Sequence, residues 1–148
     1  VSLPARFETI AAGTGGPFIV DGAHTPASAA LCAETFCTLY GRGGILLFGC
    51  AKGKDAGGMA KSLLPHFSQV IITAPGTFRE SDPEAVYGAF CRTADSLGSS
   101  GRPSLSLVPD TKSAFEKTVR TAKEKKLPVL SCGSFYLAGE LIQHSAGC

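Results

Sequence analysis

Asp21 and His24 stand three residues apart in the segment Val20-Asp21-Gly22-Ala23-His24-Thr25-Pro26, directly after the apolar run PFIV. A carboxylate at the end of such a run can accept hydrogen bonds from ribose hydroxyls or pair with a cation. It can equally well cap a local turn. An imidazole beside it can donate to a phosphate or ribose oxygen, or pack on its own turn. Three further groups follow apolar runs in the same way: Lys52, Lys54 and Asp55 after GGILLFGC, Thr77 and Arg79 after QVIITAP, and Ser134 after PVLSC. The two lysines face either an anion or solvent. Ser134 stands before an apolar helical stretch, where nearby N–H groups can bind an anion or the hydroxyl can cap the helix.

Two glycine-rich stretches imitate nucleotide loops and fail on spacing. In GCAKGKD only three residues separate Gly49 from Gly53, and Asp55 occupies the place of the magnesium-binding hydroxyl in a phosphate loop. In GTGG, the third glycine of a dinucleotide fingerprint is replaced by Phe18, so this segment serves a hairpin turn. The chain therefore offers no phosphate loop, no carboxylate cluster for magnesium and no nucleophile paired with a base. A catalyst using ATP needs the first two from elsewhere.

The elements that must position these groups alternate. RFETIAA and PFIVDG read as a β-hairpin around GTGG. A helix follows, with Thr25 as N-cap, Pro26 in its first turn, Ala29, Cys32, Ala33 and Phe36 on one face, and Gly41 as its stop. Then come GGILLFGC as a strand, DAGGMAKSLLPHF as a helix begun by Asp55, and QVIITAP as a strand. A helix from Asp82 to Leu97, the strand SLSLVP, the helix TKSAFEKTVRTAKEKK, the strand PVLSCGS and the helix FYLAGELIQH complete the series. The expected fold is an α/β three-layer sandwich with a mostly parallel sheet, right-handed crossovers and an antiparallel edge strand from the hairpin. Ligands of such sheets bind at the carboxyl ends of the strands, where all the groups above converge.

Composition narrows the function classes. The 148 residues carry a formal net charge of +2, with 44% hydrophobic and 18% charged residues, which suits one folded domain. That charge is too small for a nucleic-acid partner, and the basic cluster Lys117, Arg120, Lys123, Lys125 and Lys126 has Glu116 and Glu124 interleaved, as on a solvated helix face. No apolar run is long enough to span a bilayer, and the first residues lack the pattern of a signal peptide, so no membrane partner is expected. The six cysteines, Cys32, Cys37, Cys50, Cys91, Cys132 and Cys148, form no CxxC pair and no zinc-type grouping with histidine. They read as structural thiols of a cytoplasmic protein, against a weaker redox reading.

Five segments together carry a resemblance. PARFE at Pro4 to Glu8, DGAHTP at Asp21 to Pro26, LFGCAKGKD at Leu47 to Asp55, ITAPGTFRESDPE at Ile72 to Glu84, and GSFYLAGE at Gly133 to Glu140 resemble the C-terminal domain of folylpolyglutamate synthases, which are Mur ligase relatives, some with dihydrofolate synthase activity. DGAHTP alone would indicate only the wider superfamily. The resemblance implies residues 1–148 as a single Rossmann-like domain, with residues 1–6 left from an interdomain linker and an ATPase domain N-terminal to it. It implies a ligase in which ATP phosphorylates a substrate carboxylate and the amine of glutamate attacks the acyl phosphate, on a folate or dihydropteroate. Magnesium ligands would come mainly from the other domain, and the enzyme would be a monomer.

By the same resemblance Arg6 matches an arginine reaching ATP phosphates, Asp21 an aspartate contacting the nucleotide, and His24 the histidine beside it, with a catalytic part. Ser134 matches a serine serving glutamate or active-site closure, and Lys52 and Asp55 match a peripheral loop. Ala5 and Thr25 depart from the usual Gly and Asn; neither change removes a charge. The competing expectations are a free-standing nucleotide-binding module without catalysis and the corresponding domain of a peptidoglycan Mur ligase.

Overall fold

The computed structural model describes residues 6–77, 80–98 and 101–146. Six strands form one sheet: β1 (Glu8–Thr9), β2 (Phe18–Val20), β3 (Gly44–Phe48), β4 (Phe67–Ile72), β5 (Ser104–Leu107) and β6 (Val129–Cys132), in spatial order β1-β2-β6-β3-β4-β5. Among the described residues only the β1–β2 pair is antiparallel, with Glu8 opposite Val20 and Thr9 opposite Ile19. The other four pairings are parallel, as the continuous apolar runs require.

Side chains alternate across the sheet. Ile19, Leu46, Phe48, Val70, Ile72, Leu130 and Cys132 enter one core, which is closed by α1 (Pro26–Tyr40), α2 (Ala56–Leu63) and α3 (Pro83–Asp95). Phe18, Val20, Ile45, Leu47, Ile71 and Val129 enter the other, closed by α4 (Thr111–Lys125) and α5 (Phe135–Ala146). The three layers follow from this period of two on strands buried on both faces. Phe18, Phe36, Phe48 and Phe90 are fully buried; each contributes about 1.5–3 kcal/mol.

Helix α1 begins as its residues dictate. The Thr25 hydroxyl accepts from the Ser28 N–H at 3.1 Å, the Ser28 hydroxyl accepts from the Thr25 N–H in return, and Pro26 fills the first turn. Three boundaries differ from expectation. The first strand is only Glu8–Thr9. The helix after Asp55 gives way to a 3-10 turn at Leu64–His66, because Pro65 has no N–H to continue it. The next strand starts at Phe67, two residues before Gln69.

The order of strands creates the crevice. β6 is inserted between β2 and β3, and its following helix α5 covers the opposite face from α1 and α2. At such a reversal the helices diverge and leave the carboxyl ends of the strands open.

Candidate active site at the ends of β2 and β6

The backbone turns sharply after β2. The Asp21 N–H donates to the Ser131 carbonyl at 2.9 Å, extending the sheet by one bond, and the chain then leaves it. The Asp21 carboxylate fixes the turn: Oδ1 accepts from the Ala23 N–H at 2.7 Å and Oδ2 from the Phe7 N–H at 2.8 Å. Phe7 has φ 45, a left-handed conformation uncommon outside glycine, so Asp21 holds a strained link between the incoming chain and the site. A carboxylate has about four acceptor positions, which leaves two for a ligand.

His24 is oriented by its own turn. Its Nδ1 lies 2.8 Å from the Gly22 carbonyl oxygen, which can only accept, so Nδ1 carries the proton. Nε2 is thereby left as the acceptor of the neutral ring. The ring centroid stands 5.4 Å from that of Phe135, the first residue of α5.

Ser134 is buried, and its hydroxyl oxygen accepts from the N–H groups of Tyr136 at 3.0 Å and Leu137 at 3.3 Å. It caps α5, and its own O–H remains a donor. Gly133 joins the two strand ends, its N–H donating to the Ala23 carbonyl at 2.6 Å.

Two cavities open here. One, of about 450 Å³, is lined by Arg6, Phe7, Asp21, Leu31 and Cys32 among others. The second, of about 310 Å³, is lined by Ala51, Lys54, Gly133, Ser134 and Tyr136. His24 and Phe135 line both. Each volume falls in the roughly 300–1,000 Å³ range of small-molecule sites.

Of the sequence candidates, Arg6, Asp21, His24, Lys54 and Ser134 come together in this way. Lys52 instead pairs with Glu80 at 3.2 Å on the surface, and Asp55 caps α2 by accepting from the Gly58 N–H at 2.8 Å. Thr77 lines a separate cavity of about 420 Å³ with Asp110, Lys112 and Glu140. Arg79 lies outside the described residues. Sequence reasoning passed over Phe7, Gly22 and Phe135: an aromatic at a helix start reads as core, whereas Phe135 is 48% exposed.

Beneath the first cavity lie thiols. Burial pushes Cys32 up to about 12, and the Asp21 carboxylate adds to the rise. Burial also raises Cys50 to about 11 and Cys132 well above the ordinary thiol range, the latter with help from Cys32 and Asp21. They are protonated and unreactive at neutral pH. Among the described residues no three of His, Cys, Asp and Glu are grouped to hold a metal ion, and no helix is long and apolar enough to cross a membrane.

A family model described as "Mur ligase, glutamate ligase domain" matches residues 5–135. The chain belongs to the Mur ligase family. The fold of this glutamate ligase domain recurs in folylpolyglutamate synthase from Mycobacterium tuberculosis complexed with ADP and AMPPCP, with TM-score 0.78, 22% identity, and coverage of 94% of this chain and 31% of that one. It recurs in the Thermotoga maritima folylpolyglutamate synthase, with TM-score 0.79, 20% identity, and coverage of 99% and 31%. The bifunctional folylpolyglutamate synthase/dihydrofolate synthase of Yersinia pestis, complexed with AMPPNP and Mn ion, gives TM-score 0.73, 20% identity, and coverage of 96% and 31%. The Mur ligase domain thus spans about a third of the length of these synthases. No curated protein sequence matches the chain.

Proposed function

We propose that this domain serves an ATP-dependent ligase that joins glutamate to a folate or dihydropteroate carboxylate, closing over the nucleotide held by an N-terminal ATPase domain of the same protein. The observation that carries the reading is the pair of adjoining cavities. On one side the guanidinium of Arg6 and the spare acceptor positions of Asp21 suit the phosphates and hydroxyls of a nucleotide. On the other, Lys54, the Ser134 hydroxyl and the start of α5 suit the carboxylates of an amino acid. His24 stands between them with Nε2 available, where the incoming ammonium must lose a proton before it attacks.

ATP bound in such a site supplies a phosphoryl group that activates the carboxylate, and magnesium, with ligands mainly on the other domain, neutralises its charge. The residues of this chain bind, orient and exclude water. The protein acts as a monomer in the cytoplasm. Folate-type rather than cell-wall substrates are favoured because the resemblance runs through GSFYLAGE and because the synthases share the fold over nearly the whole chain.

The test uses the full-length chain that contains this domain. His24→Ala and Asp21→Ala should each lower ATP-dependent glutamate addition by at least about a hundredfold, with circular dichroism unchanged for His24→Ala. Wild-type rates in both variants would remove the assigned site.

A further inference from the structure

Gly22 and Phe135 form a contact that neither the turn after β2 nor the capping of α5 demands. Gly22 has no left-handed backbone to explain it. What requires glycine is the ring: a Cβ built at Gly22 would collide with Cδ1, Cε1 and Cγ of Phe135. The ring therefore packs close against bare backbone at the end of β2, although it is half exposed and belongs to α5. Its other neighbour is the His24 imidazole, whose position is fixed by the Gly22 carbonyl. Gly22, His24 and Phe135 thus hold one another, and the two side chains among them are the residues that both cavities share.

We propose that Phe135 is a positioning residue that partitions the site, keeping water on the Ser134 side away from an acyl phosphate formed on the Asp21 side until the amine arrives. This rests on the ligase reading above. The competing reaction is simple: the oxygen of water attacks the acyl carbon, the bond from that carbon to the phosphate oxygen breaks, inorganic phosphate leaves, and the carboxylate is regenerated with loss of a proton. ATP is then consumed without an amide being formed. An apolar ring where the two cavities adjoin offers water no hydrogen-bond partner, whereas the amine is held by the His24 imidazole that lines both.

The partition predicts a change in coupling rather than in rate alone. In the full-length chain, ADP released and amide formed are measured together. Phe135→Ala should raise ADP released per amide about tenfold. Phe135→Leu, which refills the space without aromaticity, should restore coupling to near wild type. Gly22→Ala should displace the ring and uncouple in the same sense, and adding it to Phe135→Ala should do no further harm. A Phe135→Ala variant in which ADP and amide fall in equal proportion would show a merely structural ring and overturn the proposal. A wild-type chain that forms no amide from glutamate would instead overturn the ligase reading, and the partition with it.

Discussion

The ends of β2 and β3 lie on the same edge of one sheet, and each is followed by a short segment carrying charged groups, yet the first lines both cavities of the candidate site and the second only one. After β2, Asp21 turns inward and spends two acceptor positions on backbone N–H groups, and His24 and Phe135 close around it. After β3, Lys52 reaches out to Glu80, and Asp55 is committed to starting α2. Of the charged residues of that loop, Lys54 lines the second cavity. What separates the two is placement: both aspartates accept from main-chain N–H groups, but Asp21 does so while lining a cavity, whereas Asp55 starts a helix and lines neither.

The largest expected stability effect breaks this comparison at its glycines. Gly133 has φ 116, and a Cβ there would collide with the Gly49 carbonyl oxygen and approach the Phe48 ring. Gly53, in the β3 loop, has φ 91 with open space around it. Gly133→Ala should cost on the order of 3 kcal/mol, combining strain with a clash, whereas Gly53→Ala should cost about 1 kcal/mol from backbone conformation alone. Urea denaturation of both variants checks the ratio. Equal losses would mean that the junction of β2, β3 and β6 can relax, and that the site is less rigid than its hydrogen bonds imply.

Next in size is the response to alkali. Cys32 and Cys50, near 12 and 11 in the folded state, lie above the ordinary thiol value of 9.0, chiefly through burial. Their contribution to stability is complete below pH 9 and declines as pH rises through the folded values, because only the unfolded chain releases these protons at first. Denaturation midpoints should therefore fall steadily above about pH 9. Asp21→Asn sharpens the test: it removes the smaller, electrostatic cause at Cys32 and Cys132, so a slightly shallower fall should remain. Complete loss of the fall would transfer the effect from burial to Asp21.

Much of this was legible in the sequence for a physical reason. Strands buried on both faces read as near-continuous apolar runs, and ILLF, VII and, but for Ser131, VLSC announce themselves so. Thr25 and Asp55 cap the helices they precede, as their residue types announce. Asp21, His24 and Ser134 were legible as positions after strands. What the sequence hid depends on β6 lying between β2 and β3, an insertion that no local pattern records. It brings Phe135 onto Gly22 across more than a hundred residues and sets Ser134 beside His24. The same holds for Phe7, whose backbone N–H, at a left-handed φ, donates to a carboxylate 14 residues away.

The smallest effects lie within the β3 loop, and their order matters more than their size. Asp55→Ala removes an N-cap and should cost about 1 kcal/mol. Lys52→Ala breaks an ion pair whose side chains are 63% and 79% exposed, and should change stability by no more than about 0.5 kcal/mol, a loss that shrinks as salt is raised. Neither should alter ligation in the full-length chain beyond about twofold, because neither lines the paired cavities. If Lys52→Ala lowered ligation strongly at unchanged stability, the Lys52–Glu80 pair would have to open and deliver its ammonium to the site. Lys52 would then join Lys54 in the candidate site, and the contrast with β2 would reduce to one of timing.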